Sequence, residues 1–307
     1  MTTRLLCLVG PTAGGKTRMA VEVALELKGR GHEPEIVSCD SMGVYRGLDI
    51  VADKPSMDER RGIPHHLFDV VDATEDFTAL RYRELARAAI DDIAARGGTA
   101  MLVGGSGLYF RSVIDELEFA PTDAEVRRRL ADESPGVLLE RIRAVDPAAA
   151  KLLDANNPRR IVRAAEILEI TGQPPSDFRT SWERREGGPY TTVVAGLTWD
   201  RAELLRRAEE RVQREIGAGL VEEVRRVGSF SRTARQALGV KEMIPVIDGE
   251  ETIETATALL VRNTKNFIRR QINWFRADPR VTWFDASELG FEGAKGAIVE
   301  MYVEALG

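Results

Sequence analysis

Two rhythms of apolar and polar residues run along this chain, and one gives way to the other near residue 120. Before that point, short apolar runs at residues 5–9, 35–39 and 99–103 read as strands. Residues 17–27 and 80–95 lie between them, and both carry apolar side chains at helical spacing. Strands alternating with helices imply a parallel sheet that gathers ligands at the carboxyl ends of its strands.

Beyond Phe119-Ala120-Pro121 the pattern is helical throughout. Residues 123–132 form one expected helix. Residues 136–145 form another, with Leu138, Leu139, Ile142 and Val145 on one stripe. Asn157 and Pro158 suit the N-cap and first position of a third, and Gly172 suits its end. Residues 179–189 read as a polar connector, and 190–198 as a strand that rejoins the sheet. The expected fold is therefore an α/β, P-loop NTPase-like core, its parallel sheet flanked by helices. Residues 1–120 and 191–307 build this core, and 121–190 form a helical insertion. In the last third, Asp200 with Glu203 reads as a capping box, and Gly217-Ala218-Gly219 as a helix break. A long helix is expected over 252–275. At 100° per residue its Arg262, Lys265, Arg269 and Arg276 fall within roughly 60° of one another. Leu260, Phe267, Gln271, Trp274 and Phe275 fall on the opposite face.

Composition narrows the class. The 307 residues are 43% hydrophobic and 30% charged, as in soluble globular proteins. The opening apolar run is too short for a signal peptide or a membrane span. Cys7 and Cys39 both sit in strand-like runs, which suits buried thiols in a reduced cytoplasm. A net charge of −6 argues against wholesale coating of nucleic acid but allows a local basic face. The long helix offers one, because residues 255–277 hold five basic residues and no acidic one. A solvated helix would mix signs, so this face is read as tracking phosphates.

The chemistry is concentrated after the first strand. Gly10, Pro11, Thr12, Ala13, Gly14, Gly15, Lys16 and Thr17 match the phosphate-loop pattern GxxxxGK[ST] at a strand–helix junction. Backbone N–H groups and the helix N-terminus suit a diphosphate; Lys16 adds a point charge and Thr17 a hydroxyl for Mg²⁺. ATP is the default occupant of such a loop. However, the strand at 99–103 ends in Gly104-Gly105-Ser106-Gly107, without the carboxylate that nucleotide hydrolases and kinases commonly use for Mg²⁺. The strand at 35–39 instead ends in Asp40-Ser41, which makes Asp40 a candidate base or Mg²⁺ ligand.

Together these segments resemble the tRNA dimethylallyltransferase family. The match takes in the phosphate loop, Ser38-Cys39-Asp40-Ser41-Met42, Val44-Tyr45-Arg46-Gly47, Pro64-His65-His66 and Leu102-Val103-Gly104-Gly105-Ser106-Gly107-Leu108-Tyr109. It continues through Arg160-Ile161-Val162-Arg163-Ala164, Asp200-Arg201, Gly239 and Arg270-Gln271-Ile272-Asn273-Trp274-Phe275-Arg276. The resemblance implies that the loop holds dimethylallyl diphosphate rather than ATP. It also implies that the chain moves the dimethylallyl group to N6 of the adenosine 3′ of the anticodon, releasing diphosphate. By motif position, Lys16, Thr17, Ser106 and Arg211 bind the diphosphate with Mg²⁺, and Asp40 takes the N6 proton. Arg211 follows Ala208 by three residues and Leu204 by seven, so it borders the apolar stripe of its helix and can point inward.

The family also implies that the tRNA anticodon stem-loop docks with its target adenosine flipped into a channel, as base-edge chemistry requires. The positions carried over as tRNA contacts begin with Asp40, Ser41, Met42, Gly43, Ser106 and Arg127. They continue with Arg159, Arg160, Ile161, Val162 and Arg163, then Gln236, Ala237, Leu238, Gly239, Val240 and Lys241. Thr264, Lys265, Arg269, Arg270 and Gln271 complete them. A cytoplasmic monomer with no membrane partner is expected. The chain departs from the family pattern at Gly43, usually Gln, and at Val51-Ala52-Asp53, usually Gly-Thr-Ala. Val240 and Phe267 stand where Tyr is common, Lys265 where Arg is frequent and Ser106 where Thr is usual. The His65-His66 pair lacks further ligands nearby in sequence and is read as structural or channel-lining. The competing readings are an adenylate isopentenyltransferase, a P-loop small-molecule kinase and a non-catalytic RNA-binding protein. The basic helix and the helical insertion favour tRNA over a free nucleotide, and the intact cradle with Asp40 favours catalysis over simple binding.

Overall fold

A computed structural model describes residues 3–179 and 188–306, so most of the connector expected at 179–189 lies outside the described residues. The chain divides into two compact units: Met1–Ile114 with Pro189–Gly307, and Asp115–Gly188.

The first unit is built on six parallel strands: β1 (Arg4–Val9), β2 (Pro34–Cys39), β3 (His65–His66), β4 (Thr99–Gly104), β5 (Thr191–Thr198) and β6 (Val281–Asp285). Their spatial order is β3-β2-β4-β1-β5-β6. Both faces of the sheet are covered, which is why the central strands read as unbroken apolar runs. Leu5, Cys7 and Val9 face one layer, where α3 (Ala79–Ala95), α4 (Gly107–Ile114) and α12 (Ile253–Arg276) contribute Ile90, Phe110 and Phe275. Leu6 and Leu8 face the other, formed by α1 (Lys16–Gly29) and α13 (Ala286–Leu306) with Val23, Leu27, Ile298 and Tyr302. Leu5, Leu6 and Leu8 are fully buried, so truncating any one to Ala should cost about 2–5 kcal/mol. The remaining elements are the single turn α2 (Met57–Arg60), α9 (Arg201–Gly217), α10 (Leu220–Val227) and α11 (Val240–Ile247).

The expected strands and long helices are present. β3, β6, α2, α4, α10, α11 and α13 are among the additional elements. β3 has only two residues, too few to carry an alternation signal. The capping box expected at Asp200 is corrected to half a box. Asp200 Oδ1 accepts from the Ala202 and Glu203 N–H groups, but the Asp200 N–H donates to Ser287 Oγ at 2.7 Å. Glu203 is instead drawn to Arg206 and Arg207.

The second unit packs α5 (Ala124–Ala131), α6 (Pro135–Val145), α7 (Pro147–Leu152) and α8 (Pro158–Thr171) around Leu130, Leu138, Ile142 and Ile161. Asn157 caps α8 and Pro158 opens it, as expected. Its boundaries fall at 114/115 and 188/189 rather than 120/121 and 190/191. The reason at the first boundary is that Arg163 of α8 donates to the carbonyls of Ala120 and Pro121, which ties that stretch to the helices. Among the described residues, no helix is long and apolar enough to cross a membrane.

Candidate active site

Three strand ends converge here: β1 leads into the phosphate loop, β2 into Asp40, and β4 into Gly105-Ser106. Around them lie two cavities, one of about 470 Å³ and one of about 170 Å³. The larger is lined by Thr12, Ala13, Gly15, Lys16 and Thr17 of the loop, with Asp40, Asp53, Gly105 and Arg211. The smaller is lined by Ser41, Met42, Ser106, Gln236, Leu238, Lys241, Thr264, Phe267 and Arg270, among others. Thr12, Asp40, Ala52 and Arg211 line both. These four residues form a shared wall.

The loop is tied internally before any ligand is considered. Lys16 Nζ donates to the Pro11 carbonyl at 2.7 Å, and the Gly14 N–H donates to the same oxygen at 3.2 Å. The Thr12 N–H is taken by Gln271 Oε1 at 2.8 Å. Trp199 Nε1 holds the Gly14 carbonyl at 2.9 Å, with the Arg207 guanidinium stacked on its ring. The N–H groups left for an anion are those entering α1, where the helix dipole adds to them. Burial pulls the Lys16 ammonium down to about 8, with Arg211 acting in the same direction and Asp40 against it.

Arg211 reaches the loop from α9. It donates to Thr12 Oγ1 at 2.9 Å, to Glu215 Oε1 at 2.6 Å, and pairs with Asp53 Oδ2 at 3.2 Å. Burial works against its charge, yet Glu215 and Asp53 raise its pKa overall. Burial pushes the Glu215 carboxyl up, while Arg211 opposes the shift. Asp40 plays two parts. Its Oδ1 accepts from the Met42 and Gly43 N–H groups at 2.7 and 3.1 Å, closing the turn after β2. Its Oδ2 makes no hydrogen bond among the described residues and is free to act on a ligand.

Residues 43–278 match the profile of the IPP transferase family. The chain belongs to that family. Curated relatives named tRNA dimethylallyltransferase include one from Streptomyces griseus, 46% identical over 91% of this chain and 89% of its own. Another, from Salinispora tropica, is 44% identical over 92% and 88%. The solved tRNA isopentenylpyrophosphate transferase from Bacillus halodurans superposes with a TM-score of 0.72 at 35% identity, covering 98% of this chain and 96% of its own.

Several positions carried over from the IPP transferase family have different surroundings from those expected. Ser106 lines the smaller cavity and not the larger, because its Oγ is turned to accept from the Ser41 N–H at 3.2 Å. Ile161 and Val162 point into the core of the helical unit, which leaves Arg159 and Arg160 as the exposed residues at that end of α8. Arg127 and Arg163 are committed to the fully buried Glu166. Burial raises that carboxyl, but hydrogen bonds from Arg163 and Arg127 bring it below its usual range. Gly239 and Val240 are buried at the start of α11, where Glu242 receives the Gly239 N–H. Gln271 is buried against the phosphate loop. On α12, Arg262, Arg269 and Arg276 are exposed as expected, and Lys265 is paired with Glu209. Trp274, on the face opposite the basic stripe, packs against Gly107 and is still 40% exposed.

Each histidine of the pair is bonded within the fold: His66 Nε2 meets Glu35 Oε2 at 2.7 Å and His65 Nδ1 meets the Ile63 carbonyl at 2.8 Å. Both cysteines are free and buried. Sequence reasoning missed Asp53, Glu215 and Glu223. Glu223, buried on α10, accepts the N–H groups of Asp49, Ile50 and Val51 and so fixes the loop that carries Asp53. The i,i+4 spacing of Arg211 and Glu215 was the one signal that pointed to any of them.

Proposed function

We propose that this protein transfers the dimethylallyl group of dimethylallyl diphosphate to N6 of the adenosine 3′ of the anticodon in tRNA. The observation that carries the reading is the shared wall. A cationic cradle lies on one side, a base-sized chamber on the other, and Asp40 on both. The diphosphate is held by the N–H groups entering α1, by Lys16 and by Arg211, which stabilise charge as it builds on the leaving oxygen. The adenine enters the smaller cavity from RNA that tracks along Arg262, Arg269 and Arg276. N6 forms its bond to the allylic carbon as the carbon–oxygen bond breaks, diphosphate departs, and the N6 proton passes to Asp40 Oδ2.

Thr17, exposed at the start of α1, and Asp40 Oδ2 are hard oxygen donors that line the same cavity, a set suited to Mg²⁺. Mg²⁺, when bound there, neutralises part of the diphosphate charge. The free buried thiols suit the cytoplasm.

The test is incubation with labelled dimethylallyl diphosphate and either unmodified tRNA or AMP. Label on tRNA at N6 is the expected result. Label on AMP would make the protein an adenylate isopentenyltransferase, and ATP turnover without label transfer would make it a kinase.

A further inference from the structure

Gln271 and Trp274 lie one turn apart on α12, and each occupies the space of a missing side chain. A Cβ on Gly105 would sit 2.3 Å from Gln271 Nε2, and a Cβ on Gly107 would sit 2.2 Å from Trp274 Cδ1. The two prongs therefore straddle Ser106, whose Oγ holds the Ser41 N–H beside Asp40. Gln271 also bridges two loops. Its Nε2 donates to the Gly105 carbonyl at 2.9 Å, and its Oε1 accepts from the Thr12 N–H at 2.8 Å. The side chain is 6% exposed and makes one bond to the protein from each polar end, so burial keeps it from meeting an RNA directly. The outer face of the same helix carries Arg262, Arg269 and Arg276.

We propose that Gln271 is a positioning residue that couples the RNA-facing helix to the diphosphate cradle, so that each substrate tightens the binding of the other. The proposal rests on the transferase reading above. Phosphate contacts on the outer face fix the register of α12. Gln271 carries that register to Thr12 and Gly105, and Thr12 is the residue that Arg211 also grips. Coupling of this kind is reciprocal: the factor by which RNA tightens the cradle equals the factor by which the cradle tightens RNA.

The probe is inorganic diphosphate with Mg²⁺, titrated calorimetrically into wild-type protein with and without an anticodon stem-loop RNA. Wild type should bind diphosphate at least about five-fold tighter when RNA is present. In Gln271→Met, of similar length but without polar ends, that ratio should fall to near one, and the KM for dimethylallyl diphosphate should rise about ten-fold. RNA affinity measured without diphosphate should stay within about two-fold of wild type. Gln271→Glu keeps an acceptor for Thr12 but loses the donor to Gly105. It carries the same test should the Met variant not fold, and the ratio should fall there too. Two results overturn the proposal: a wild type without coupling, or variants that keep the ratio. Failure of the transferase reading is seen separately, as absence of prenyl transfer to RNA by the wild type, because the coupling is read with no chemistry taking place.

Discussion

Arg211 and Glu215, one helical turn apart, are joined by a 2.6 Å bond from Nε to Oε1. The carboxylate fixes the back of the guanidinium, and its front is thereby aimed at Thr12 and the phosphate loop. A planar fork held this way loses little freedom when it meets a diphosphate. In Glu215→Gln the charged half of this hold is gone and Arg211 is left with Asp53, which draws it toward the cavity rim. Donor KM should rise about ten-fold, equivalent to about 1.4 kcal/mol, with RNA affinity unchanged. Steady-state kinetics with donor and RNA varied in turn would show which constant moves; a rise confined to the RNA constant would contradict this role.

Asp40→Asn keeps the shape of the side chain and its turn-closing acceptor but cannot take a proton from N6. Turnover should fall by about 10²–10⁴, the usual worth of a positioned general base, with both substrates bound within a few-fold of wild type. If Asp40 acts chiefly as a Mg²⁺ ligand, donor affinity falls instead and excess Mg²⁺ restores it. Single-turnover transfer across a Mg²⁺ titration separates the two roles, and a full single-turnover rate in the mutant would rule out both.

Lys16 gives the site a pH signature. Burial brings its ammonium from 10.5 to about 8, so it is charged below that pH and neutral above it. Donor affinity should be level up to about pH 7 and should weaken above pH 8 by as much as ten-fold per unit. Lys16→Met should bind more weakly throughout and lose the break near pH 8. A break of the same size in the mutant would assign the titration to another group.

Arg262 and Arg269 should contribute through charge rather than base identity. Replacing both by Ala should weaken tRNA binding regardless of sequence. The slope of log K against log salt should drop by about one unit for each contact removed. An unaltered slope in the double mutant would make this face of α12 an ordinary solvated surface.

What could be read in the sequence followed from periodicity and from motif context. The central strands and long helices were legible because each spans enough residues to show its period. The phosphate loop was legible because its glycines and Lys16 fall at a strand–helix junction. β3 was hidden by its two-residue length, and the partial cap at Asp200 by a competitor, Ser287, 87 residues away. The same long-range logic explains the site residues that went unseen. Asp53, Glu215 and Glu223 are three acidic residues among 49, and apart from the spacing of Glu215 to Arg211 only tertiary contact singles them out. Gln271 was noticed but its bonds to Thr12 and Gly105 were not, because spacing places a residue on a helix face without saying what that face meets.

The shared wall between the cavities bears on waste as well as on transfer. An allylic diphosphate is prone to solvolysis, and a donor bound alone lies next to a chamber that only water can fill. On the proposed reading a flipped adenine would displace that water, which would make the acceptor also the stopper that keeps the donor intact. Dimethylallyl alcohol released in the absence of RNA measures the leak, and a stem-loop that docks but lacks the target adenosine should leave the leak open.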